Sequence, residues 1–355
     1  MAIFNGDSLK IEIYGESHAE KIGVKVSGMP KFTFSEAELS EFLARRKASG
    51  QVYSTARKED DIPVFGGVDG TTVCGEFTAD IFNKNVKSSD YGELYGKPRP
   101  SHADYASYLK DGTLDYRGGG RFSGRLTAPL CVAGGIIKQY LKSLGIEVLA
   151  YVQSIGGVEG KSYLSGEVKK EEIISSQKSG FPSLTMGDKM LDEIAAAKAD
   201  LDSVGGVIEC LVYGLKGGVG ENLFEGLEGK IASLIYAVPA VKGVEFGAGF
   251  NLTGMRGSAA NDQMEYCGDK VKFLTNNSGG INGGISNGNV ITMRVAVKPT
   301  PSIAKKQKTI DLINKKSVEI EIKGRHDACI VPRAVPCIES AVAIAIADEL
   351  IKNNK

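Results

Sequence analysis

The sequence predicts an α+β fold, in which antiparallel strands and long helices occupy separate stretches of the chain. The first strands form a hairpin, because residues 9–14 and 22–26 alternate in polarity on either side of a turn at 15–21. The long apolar helices are isolated from one another, and the chain lacks the regular strand–helix alternation of a parallel doubly wound sheet. No proline- or serine-rich linker and no block of charge divides the 355 residues. We therefore expect a single domain spanning residues 1–355.

The next predicted element is a helix in the segment 35-SEAELSEFLARRKASG-50. Ser35 and Glu38 form a capping-box pattern at its start. Arg45, Arg46 and Lys47 are expected to fill its last turn, where positive charge complements the helix dipole.

Two longer apolar helices are predicted further along the chain, over residues 127–144 and 336–352. Pro129 falls in the first turn of the former, where its missing N–H is harmless. The glycine-rich segment 278-SGGINGGISNG-288 is either a flexible loop or a place where a flat ligand meets bare backbone. The remaining predictions are strands at 62–65, 72–77, 147–155, 206–213, 289–297 and 317–322, and helices at 190–201 and 229–238.

The composition is that of an ordinary globular protein, with 42% apolar and 24% charged residues and a net charge of zero. A general electrostatic attraction to nucleic acid or acidic lipid is therefore not expected. The six cysteines include no C-x-x-C pair, which predicts buried thiols rather than disulfides or a zinc site. The N-terminus lacks a signal-peptide pattern, and the most apolar segment, 335–351, is too short for a membrane span. We expect a soluble, cytoplasmic protein.

Arginine is concentrated early in the chain, where seven of the eleven arginines lie between Arg45 and Arg125. A planar guanidinium grips phosphate or carboxylate well, although chance clustering on a solvated face would give the same count. The segment 117-RGGGRFSGR-125 adds glycines that let a ligand approach the backbone, and the following helix would offer its N-terminus to an anion. Arg121 and Arg125 would share a face if that helix begins early. A glycine turn with solvated arginines is the alternative.

The three histidines all lie in loop-like segments: His18 in GESHAE, His102 in RPSHADY and His326 in GRHDA. Histidine titrates near neutral pH, so two such groups beside the arginine cluster indicate acid–base work on an anion. A structural role for any one of them is the alternative. Neither the histidines nor the cysteines are spaced as metal ligands, so no metal site is predicted.

Two further segments carry side chains that could do chemistry. The run 298-KPTPS-302 is a rigid turn that can present Thr300 and Ser302. Arg325 and Asp327 lie two residues apart and would face one side of an extended chain. Such a pair is usually structural, but in a site the aspartate could take a proton.

Seven segments together resemble chorismate synthases: GESHAEKIGVKVSGMP, RPSHADY, DYRGGGRFSGR, VKGVEFGAGF, GGINGGIS, KPTPSI and GRHDACIVPRAVPCIE. They occur in family order from residue 15 to residue 339. The resemblance implies a helical layer between antiparallel sheets and assembly as a homotetramer. It also implies a lyase reaction of the shikimate pathway of aromatic amino acid biosynthesis. There, 5-enolpyruvylshikimate 3-phosphate loses phosphate and a C6 proton in a 1,4-anti elimination that gives chorismate. The resemblance further implies a requirement for reduced FMN (FMNH2), although there is no net redox change.

The resemblance also implies roles for particular residues. His18 would give a proton to the departing phosphate, His102 would set the protonation of the flavin, and Asp327 would help to draw the proton from flavin N5. Ser17 and Ser123 match the two assisting serines of the family. The implied flavin contacts are Arg121, Phe122, Ser123, Pro239, Ala240, Gly283, Lys298, Pro299, Thr300, Pro301, Ser302 and Arg325. The implied substrate or NADP contacts are Arg45, Arg46 and Arg125.

The chain departs from the family pattern at several positions. Phe122 stands where the family has serine, Ser101 replaces a glycine, and Pro239 replaces an asparagine. Lys47 and Val52 each stand in place of an arginine. These changes bear on flavin contacts and substrate affinity rather than on the reaction class. Because the chain has no dinucleotide fingerprint and has lost a basic contact at Val52, we expect a separate flavin reductase to supply the electrons.

Two other interpretations stay open. The chain could be a catalytically altered relative that binds flavin, although the presence of His18, His102 and Asp327 argues against it. It could also be a nucleic-acid-binding protein that uses its arginine cluster, although zero net charge and few aromatic residues near the arginines count against this. By the resemblance His326 is a bystander.

Overall fold

The fold is known from a computed structural model, which describes residues 1–47, 51–54, 60–83, 94–113, 119–166, 168–322 and 326–353. The strands are β1 Ala2–Asn5, β2 Lys10–Tyr14, β3 Lys21–Thr33, β4 Val64–Gly66, β5 Thr72–Phe82, β6 Glu147–Ile155, β7 Val158–Glu159, β8 Gly206–Tyr213, β9 Val241–Phe246, β10 Met264–Cys267, β11 Lys270–Phe273, β12 Ile281–Asn282, β13 Ile285–Ser286, β14 Ile291–Val297, β15 Gln307–Asp311 and β16 Lys316–Ile320. The helices are α1 Glu36–Ala44, α2 Asp104–Asp111, α3 Thr127–Ser143, α4 Lys170–Lys178, α5 Gly187–Ala199, α6 Leu227–Tyr236, α7 Gly257–Ala260 and α8 Val331–Asn353.

Two antiparallel sheets of five strands each form the outer layers of a sandwich. The first has the strand order β1-β2-β3-β5-β4, and the second has the order β7-β6-β8-β14-β9. The predicted hairpin at the N-terminus is confirmed, since β2 and β3 pair with Tyr14 opposite Gly23. In the second sheet Cys210 of β8 lies opposite both Ala150 and Met293, and all three side chains are fully buried. The predicted α+β class is confirmed.

Helices α3 and α8 lie between the two sheets. α3 packs on β2, β3 and β5, α8 packs on β6 and β8, and the two helices pack on each other. Gly134 of α3 allows this close approach, because a Cβ at this position would lie 2.2 Å from Ser340 Cβ. Every residue from 334 to 350 is buried, so α8 contributes heavily to the core. The expected helical layer between antiparallel sheets is therefore present.

Two helices differ from prediction at one end. α1 starts as expected, with the Ser35 side chain accepting a hydrogen bond from the backbone N–H of Glu38 at 3.2 Å. It ends at Ala44, however, so the arginines at 45 and 46 lie in a turn after the helix. α8 begins at Val331, before the predicted start, and contains Pro336. A proline inside a helix removes one backbone hydrogen bond, but the burial of the residues around it favours continuing the helix.

Some sequence expectations on loops and cysteines need correction. The glycine-rich segment at 278–288 is not merely a loop, since it contains the hairpin of β12 and β13. Four of the cysteines are buried free thiols as predicted, but Cys74 and Cys267 are exposed. Within the described ranges, no helix has both the length and the apolar character needed to cross a membrane.

Candidate active site

The loop before α2 joins His102 to two charged residues. His102 Nδ1 lies 2.5 Å from Asp104 Oδ1. Arg99 forms a bidentate ion pair with the same carboxylate, with Nε 2.8 Å from Oδ2 and NH2 2.9 Å from Oδ1. Its backbone N–H also donates to Oδ2 at 3.0 Å. Burial alone would raise the pKa of Asp104, but the hydrogen bonds from Arg99 and His102 hold it well below its ordinary value. Asp104 is therefore an ionised carboxylate.

The turn at 298–302 packs against this loop. The Lys298 ammonium donates to the carbonyl of Ser101 at 3.2 Å, and NH1 of Arg99 donates to Ser302 Oγ at 3.4 Å. Thr300 Oγ1 donates to the carbonyl of Asp327 at 3.0 Å. Gln307 Nε2 donates a hydrogen bond to the carbonyl of Pro301 at 3.4 Å, and Pro299 packs near Gly205. These contacts hold the turn in place. The turn thus links the His102 loop to Asp327, two motifs that are far apart in sequence.

Asp327 pairs with Arg333, a residue that sequence reasoning did not single out. NH1 of Arg333 lies 2.7 Å from Asp327 Oδ2, and Nε of Arg333 donates to the carbonyl of Arg46 at 2.9 Å. The expected partner, Arg325, lies outside the described residues. A signal for Arg333 was present, because a charged residue at the start of an otherwise apolar, buried helix needs a partner.

Asp61 joins two of the arginines predicted to bind ligand. One of its carboxylate oxygens accepts a hydrogen bond from NH2 of Arg46, and the other accepts one from NH1 of Arg125. Arg46 also donates to Thr127 Oγ1 at 3.2 Å, and Arg125 donates from Nε to Asn83 Oδ1 at 3.0 Å. Burial disfavours the charged form of Asp61, but the two guanidinium charges more than offset it and lower its pKa. The two arginines are therefore held in a fixed arrangement.

Arg121 and Arg125 do not share a helical face, because α3 begins only at Thr127 and the early helix start on which that expectation depended is not found. Ser123 is extended between two short 3₁₀ turns, which breaks the helical spacing. Its Oγ accepts a hydrogen bond from the backbone N–H of Arg125 at 3.2 Å, so Ser123 caps the second turn. As a result the Arg125 side chain is buried, whereas that of Arg121 is 44% exposed and pairs with Asp111.

A cavity of about 190 Å³ lies beside Arg121. Its lining includes Glu16, the α2 residues Asp104, Ser107 and Asp111, and the segment 119–122. The guanidinium of Arg121 lies over the ring of Phe122, 4.9 Å from the ring centroid. The cavity therefore combines an aromatic ring, a guanidinium and bare glycine backbone.

The turn that carries Ser17 and His18 borders the same cavity. The backbone N–H of Ser17 donates to the carbonyl of Gly120 at 3.4 Å, and the preceding Glu16 lines the cavity. Among the residues that the structure describes, neither Ser17 Oγ nor His18 Nδ1 has a hydrogen-bond partner, and both atoms are buried. Buried polar groups are ordinarily hydrogen-bonded, so two unpaired ones beside a cavity indicate a place for a ligand.

Arg45 forms an ion pair with a buried glutamate. Its NH1 and NH2 each lie 2.9 Å from an oxygen of Glu339, which is fully buried and also pairs with Lys138. Burial would raise the pKa of Glu339, but the charges of Arg45 and Lys138 lower it to about 2. Arg45 therefore has a structural partner, and its predicted contact with substrate or NADP stays a prediction.

The remaining predicted residues fall in two places. The carbonyl of Ala240 accepts a hydrogen bond from the backbone N–H of Lys298 at 2.9 Å, which brings Pro239 and Ala240 next to the 298–302 turn. Gly283 occupies the turn between β12 and β13 with a φ of +62°, a conformation that favours glycine.

His326 is next to Asp327 in the chain but makes a different contact. Its Nε2 lies 3.2 Å from the carbonyl of Ile322. Burial lowers the pKa of His326 below its ordinary value, which favours the neutral ring. A local structural role fits these observations. Within the described ranges, no group of three or more His, Cys, Asp or Glu side chains is placed to hold a metal ion.

Comparison with known proteins identifies the family. The family model described as chorismate synthase matches residues 9–351. A chorismate synthase from Dehalococcoides mccartyi is 42% identical over 347 residues, covering 97% of this chain and 95% of the relative. One from Methanocaldococcus jannaschii is 43% identical over 363 residues, covering 98% and 96%. A solved structure titled "Crystal Structure of Chorismate Synthase" superposes with a TM-score of 0.76 at 25% identity, over 98% of this chain and 93% of that one. With a family match along almost the whole chain, relatives above 40% identity and a shared fold, the chain belongs to the chorismate synthase family.

Proposed function

We propose that this chain catalyses the reaction of its family, in which 5-enolpyruvylshikimate 3-phosphate loses phosphate and a C6 proton to form chorismate. The observation that carries the proposal is the meeting of the His102 loop, the 298–302 turn and Asp327, linked by hydrogen bonds. Each of these segments carries a group suited to acid–base or anion chemistry. The same grouping favours an enzyme over a protein that only binds.

The substrate carries a phosphate and carboxylates, so its site needs positive charge held in place. Arg46 and Arg125 meet this need, because Asp61 holds both guanidinium groups and neither side chain can swing away without breaking that contact. We assign the anionic groups of the substrate to this cluster. Arg45, in the same turn as Arg46, is the third arginine proposed for the substrate or NADP side.

The family uses reduced FMN, and the residues at the cavity fit such a group. A flat ring system can lie against the glycine backbone at 119–120 and the Phe122 ring, and Arg121, which here lies over that ring and pairs with Asp111, can hold an anionic group in exchange for that carboxylate. The cavity volume of about 190 Å³ is below the 300–1,000 Å³ typical of whole ligand pockets, so it would take part of the cofactor. We place the rest against Ser123, Gly283 and the other predicted flavin contacts, 239–240, 298–302 and Arg325.

When bound, reduced FMN supplies electron density without net oxidation or reduction. The chain's own residues donate and accept the protons of the reaction. His18 gives a proton to the departing phosphate; in support, its Nδ1 is buried and has no hydrogen-bond partner within the described ranges. His102, whose Nδ1 lies 2.5 Å from Asp104 Oδ1, sets the protonation of the flavin. Asp327, held by Arg333, accepts a proton, and Ser17 and Ser123 assist.

We also propose a homotetramer and a separate flavin reductase as electron source. Four large apolar or aromatic side chains are exposed and available for subunit contacts: Phe250 and Tyr266, each 81% exposed, and the neighbours Leu223 and Phe224, at 84% and 96%. Of these, Leu223 and Phe224 are adjacent in the chain, and exposed apolar side chains that lie together are typical of interaction sites. Light scattering coupled to gel filtration measures the mass; a monomer at micromolar concentration would rule out the tetramer.

The test of the function combines binding with product release. Reduced FMN is titrated anaerobically into the protein, substrate is then added, and released phosphate is measured. We expect saturable binding, and phosphate release only when flavin and substrate are both present. Arg121→Ala should weaken flavin binding by roughly 10- to 100-fold, since a charged hydrogen bond contributes about 1.5–3 kcal/mol. Lys110→Ala is the matched control, because Lys110 is an exposed cation of α2 near the cavity.

Two results would contradict the proposal. Flavin binding without phosphate release would favour a catalytically altered relative. A gel shift with nucleic acid, together with no flavin binding, would favour the nucleic-acid-binding alternative.

A further inference from the structure

We propose that Asp104 is a positioning residue for His102, fixing the imidazole in the Nδ1–H tautomer and in one orientation so that Nε2 is the nitrogen that exchanges a proton. The inference deepens the proposed function and rests on it, because it specifies how His102 is prepared for its role. It follows from the contacts around one buried carboxylate.

The first step concerns where the proton lies between His102 and Asp104. Nδ1 and Oδ1 are 2.5 Å apart, so one proton must sit between them. The Asp104 carboxylate also receives Nε and NH2 of Arg99 and the backbone N–H of the same residue. A carboxylate with so many donors is stabilised in its ionised form, so the shared proton belongs to the imidazole.

The second step concerns Arg99 NH2, which lies 3.1 Å from His102 Nδ1. A guanidinium has only donors, so this contact would be a hydrogen bond only if Nδ1 were an acceptor. Since Nδ1 carries the proton that Asp104 accepts, NH2 and Nδ1–H are two donors that converge on the same Oδ1. The 2.5 Å approach of Nδ1 to Oδ1 selects against the other tautomer, in which the lone pair of an unprotonated Nδ1 would face a carboxylate oxygen.

The third step concerns how firmly the Arg99–Asp104 ion pair is held in the fold. Asp104 is the first residue of α2, where the helix dipole favours negative charge, and only 8% of it is exposed. NH1 of Arg99 donates to Ser302 Oγ at 3.4 Å, which ties the ion pair to the 298–302 turn. Nε2 of His102 makes no hydrogen bond within the part of the chain that the structure describes. Asp104 also lines the cavity beside Arg121, so the anchored ring belongs to the same region.

The arrangement has the logic of a catalytic triad, in which a buried aspartate holds histidine in the correct tautomer without itself being protonated. There, replacing the aspartate by asparagine leaves the geometry intact but lowers kcat by about 10⁴-fold, because the wrong tautomer is populated. Asparagine can accept from Nδ1–H or donate to an unprotonated Nδ1, so it no longer selects one form.

The experiment is ¹⁵N NMR of histidine-labelled protein, combined with steady-state kinetics. The chain has only three histidines, so spectra of His18→Gln and His326→Gln variants assign the His102 signals. In the unsubstituted protein we expect His102 as a single Nδ1–H tautomer. In Asp104→Asn we expect mixed tautomers and a kcat lowered by roughly 10²-fold or more, with KM for substrate changed far less. Asp104→Glu should restore the single tautomer in part.

The outcomes separate this inference from the proposed function. A His102 that is protonated at Nε2 in the unsubstituted protein would overturn the inference, whether or not any variant folds. An unchanged tautomer and an unchanged kcat in a folded Asp104→Asn would also overturn it. If the unsubstituted protein makes no chorismate but shows the single Nδ1–H tautomer that Asp104→Asn loses, the proposed function fails and the positioning stands.

Discussion

Arg333 donates from NH1 to Oδ2 of Asp327 at 2.7 Å, and the same guanidinium donates from Nε to the backbone carbonyl of Arg46 at 2.9 Å. One side chain at the start of α8 therefore connects the proposed proton acceptor to the turn that carries a proposed substrate arginine. Arg333 stabilises the relation between two parts of the site without needing to touch a ligand.

Arg333→Ala should lower the free energy of unfolding by roughly 1–3 kcal/mol, because it leaves a half-buried carboxylate and a carbonyl without this donor. Turnover should fall with it, since Asp327 loses its orientation. Arg333→Lys keeps the positive charge, but lysine has no planar fork with which to reach both acceptors. Its stability and turnover should therefore lie between those of the wild type and of Arg333→Ala. Urea denaturation and kcat on the same preparations check this. Wild-type stability and turnover in the alanine variant would show that the pair is incidental.

Asp327→Asn tests the proton acceptor itself. Asparagine is nearly isosteric and its oxygen can still accept from Arg333, but it cannot accept the proton at neutral pH. We expect near-normal binding of reduced FMN and substrate with much slower turnover, the pattern of an interaction made chiefly in the transition state. Anaerobic titrations and single-turnover kinetics measure the two quantities. Weakened binding with a normal rate at saturation would mean that Asp327 serves only to hold its neighbours.

The histidines give an internally controlled comparison. His18→Ala and His102→Ala should each lower kcat by about 10²–10⁴-fold while the protein stays folded, the usual contribution of a general acid or base. His326→Ala is the matched control, because the His326 ring contacts only the carbonyl of Ile322 among the contacts described above. This substitution should lower kcat much less. Circular dichroism verifies folding. A His326 variant as inactive as the other two would mean that the wrong pair had been chosen.

Elements with a strong local signal could be predicted from the sequence. The helix expected at 127–144 is found at Thr127–Ser143, and the strand expected at 206–213 is Gly206–Tyr213. Both have apolar patterns set by residues close together in the chain. Helix α2, with the sequence DYASYLKD, was missed because it is only eight residues long; its apolar side chains Tyr105 and Leu109 are exposed, and its one buried residue is Asp104. Polar anchoring through Arg99, rather than apolar packing, holds this helix to the fold.

The charged partners of the site depend on long-range topology, which local patterns do not contain. Asp61 contacts Arg46 and Arg125, which are 15 and 64 residues away in sequence. Both terminal nitrogens of Arg45 donate to Glu339, 294 residues away, a pairing that no local pattern indicated. The family motifs singled out candidate residues, whereas the pairing of each charge became visible only in the folded chain.

Ser101 adopts a φ of +58°, a left-handed conformation that favours glycine, and glycine is what the family motif has here. Ser101→Gly should therefore raise the free energy of unfolding by roughly 0.5–1 kcal/mol, after the added freedom of the unfolded chain is subtracted. Gly112→Ala is the reciprocal control. Its φ is +70° with open space around a Cβ, so only backbone strain is added, and a loss of about 1 kcal/mol is expected. Thermal or urea unfolding measures both, and a destabilised Ser101→Gly would contradict this interpretation.

The electron source can be tested with purified protein. Oxidised FMN alone should support no reaction, and NADPH with FMN should support little unless a flavin reductase is added. The reason is that the chain has no dinucleotide fingerprint and carries Val52 where the family motif has an arginine. Chorismate formation is followed with and without reductase. Robust product from NADPH, FMN and this protein alone would show that the chain reduces its own flavin.

The most direct measurement is an anaerobic incubation of the protein with chemically reduced FMN and 5-enolpyruvylshikimate 3-phosphate, in which chorismate, phosphate and the flavin oxidation state are followed in one sample. We predict equimolar chorismate and phosphate, many turnovers per flavin, and flavin that is still reduced at the end. Absence of chorismate although reduced FMN is bound, or oxidation of one flavin for each product formed, would contradict the account.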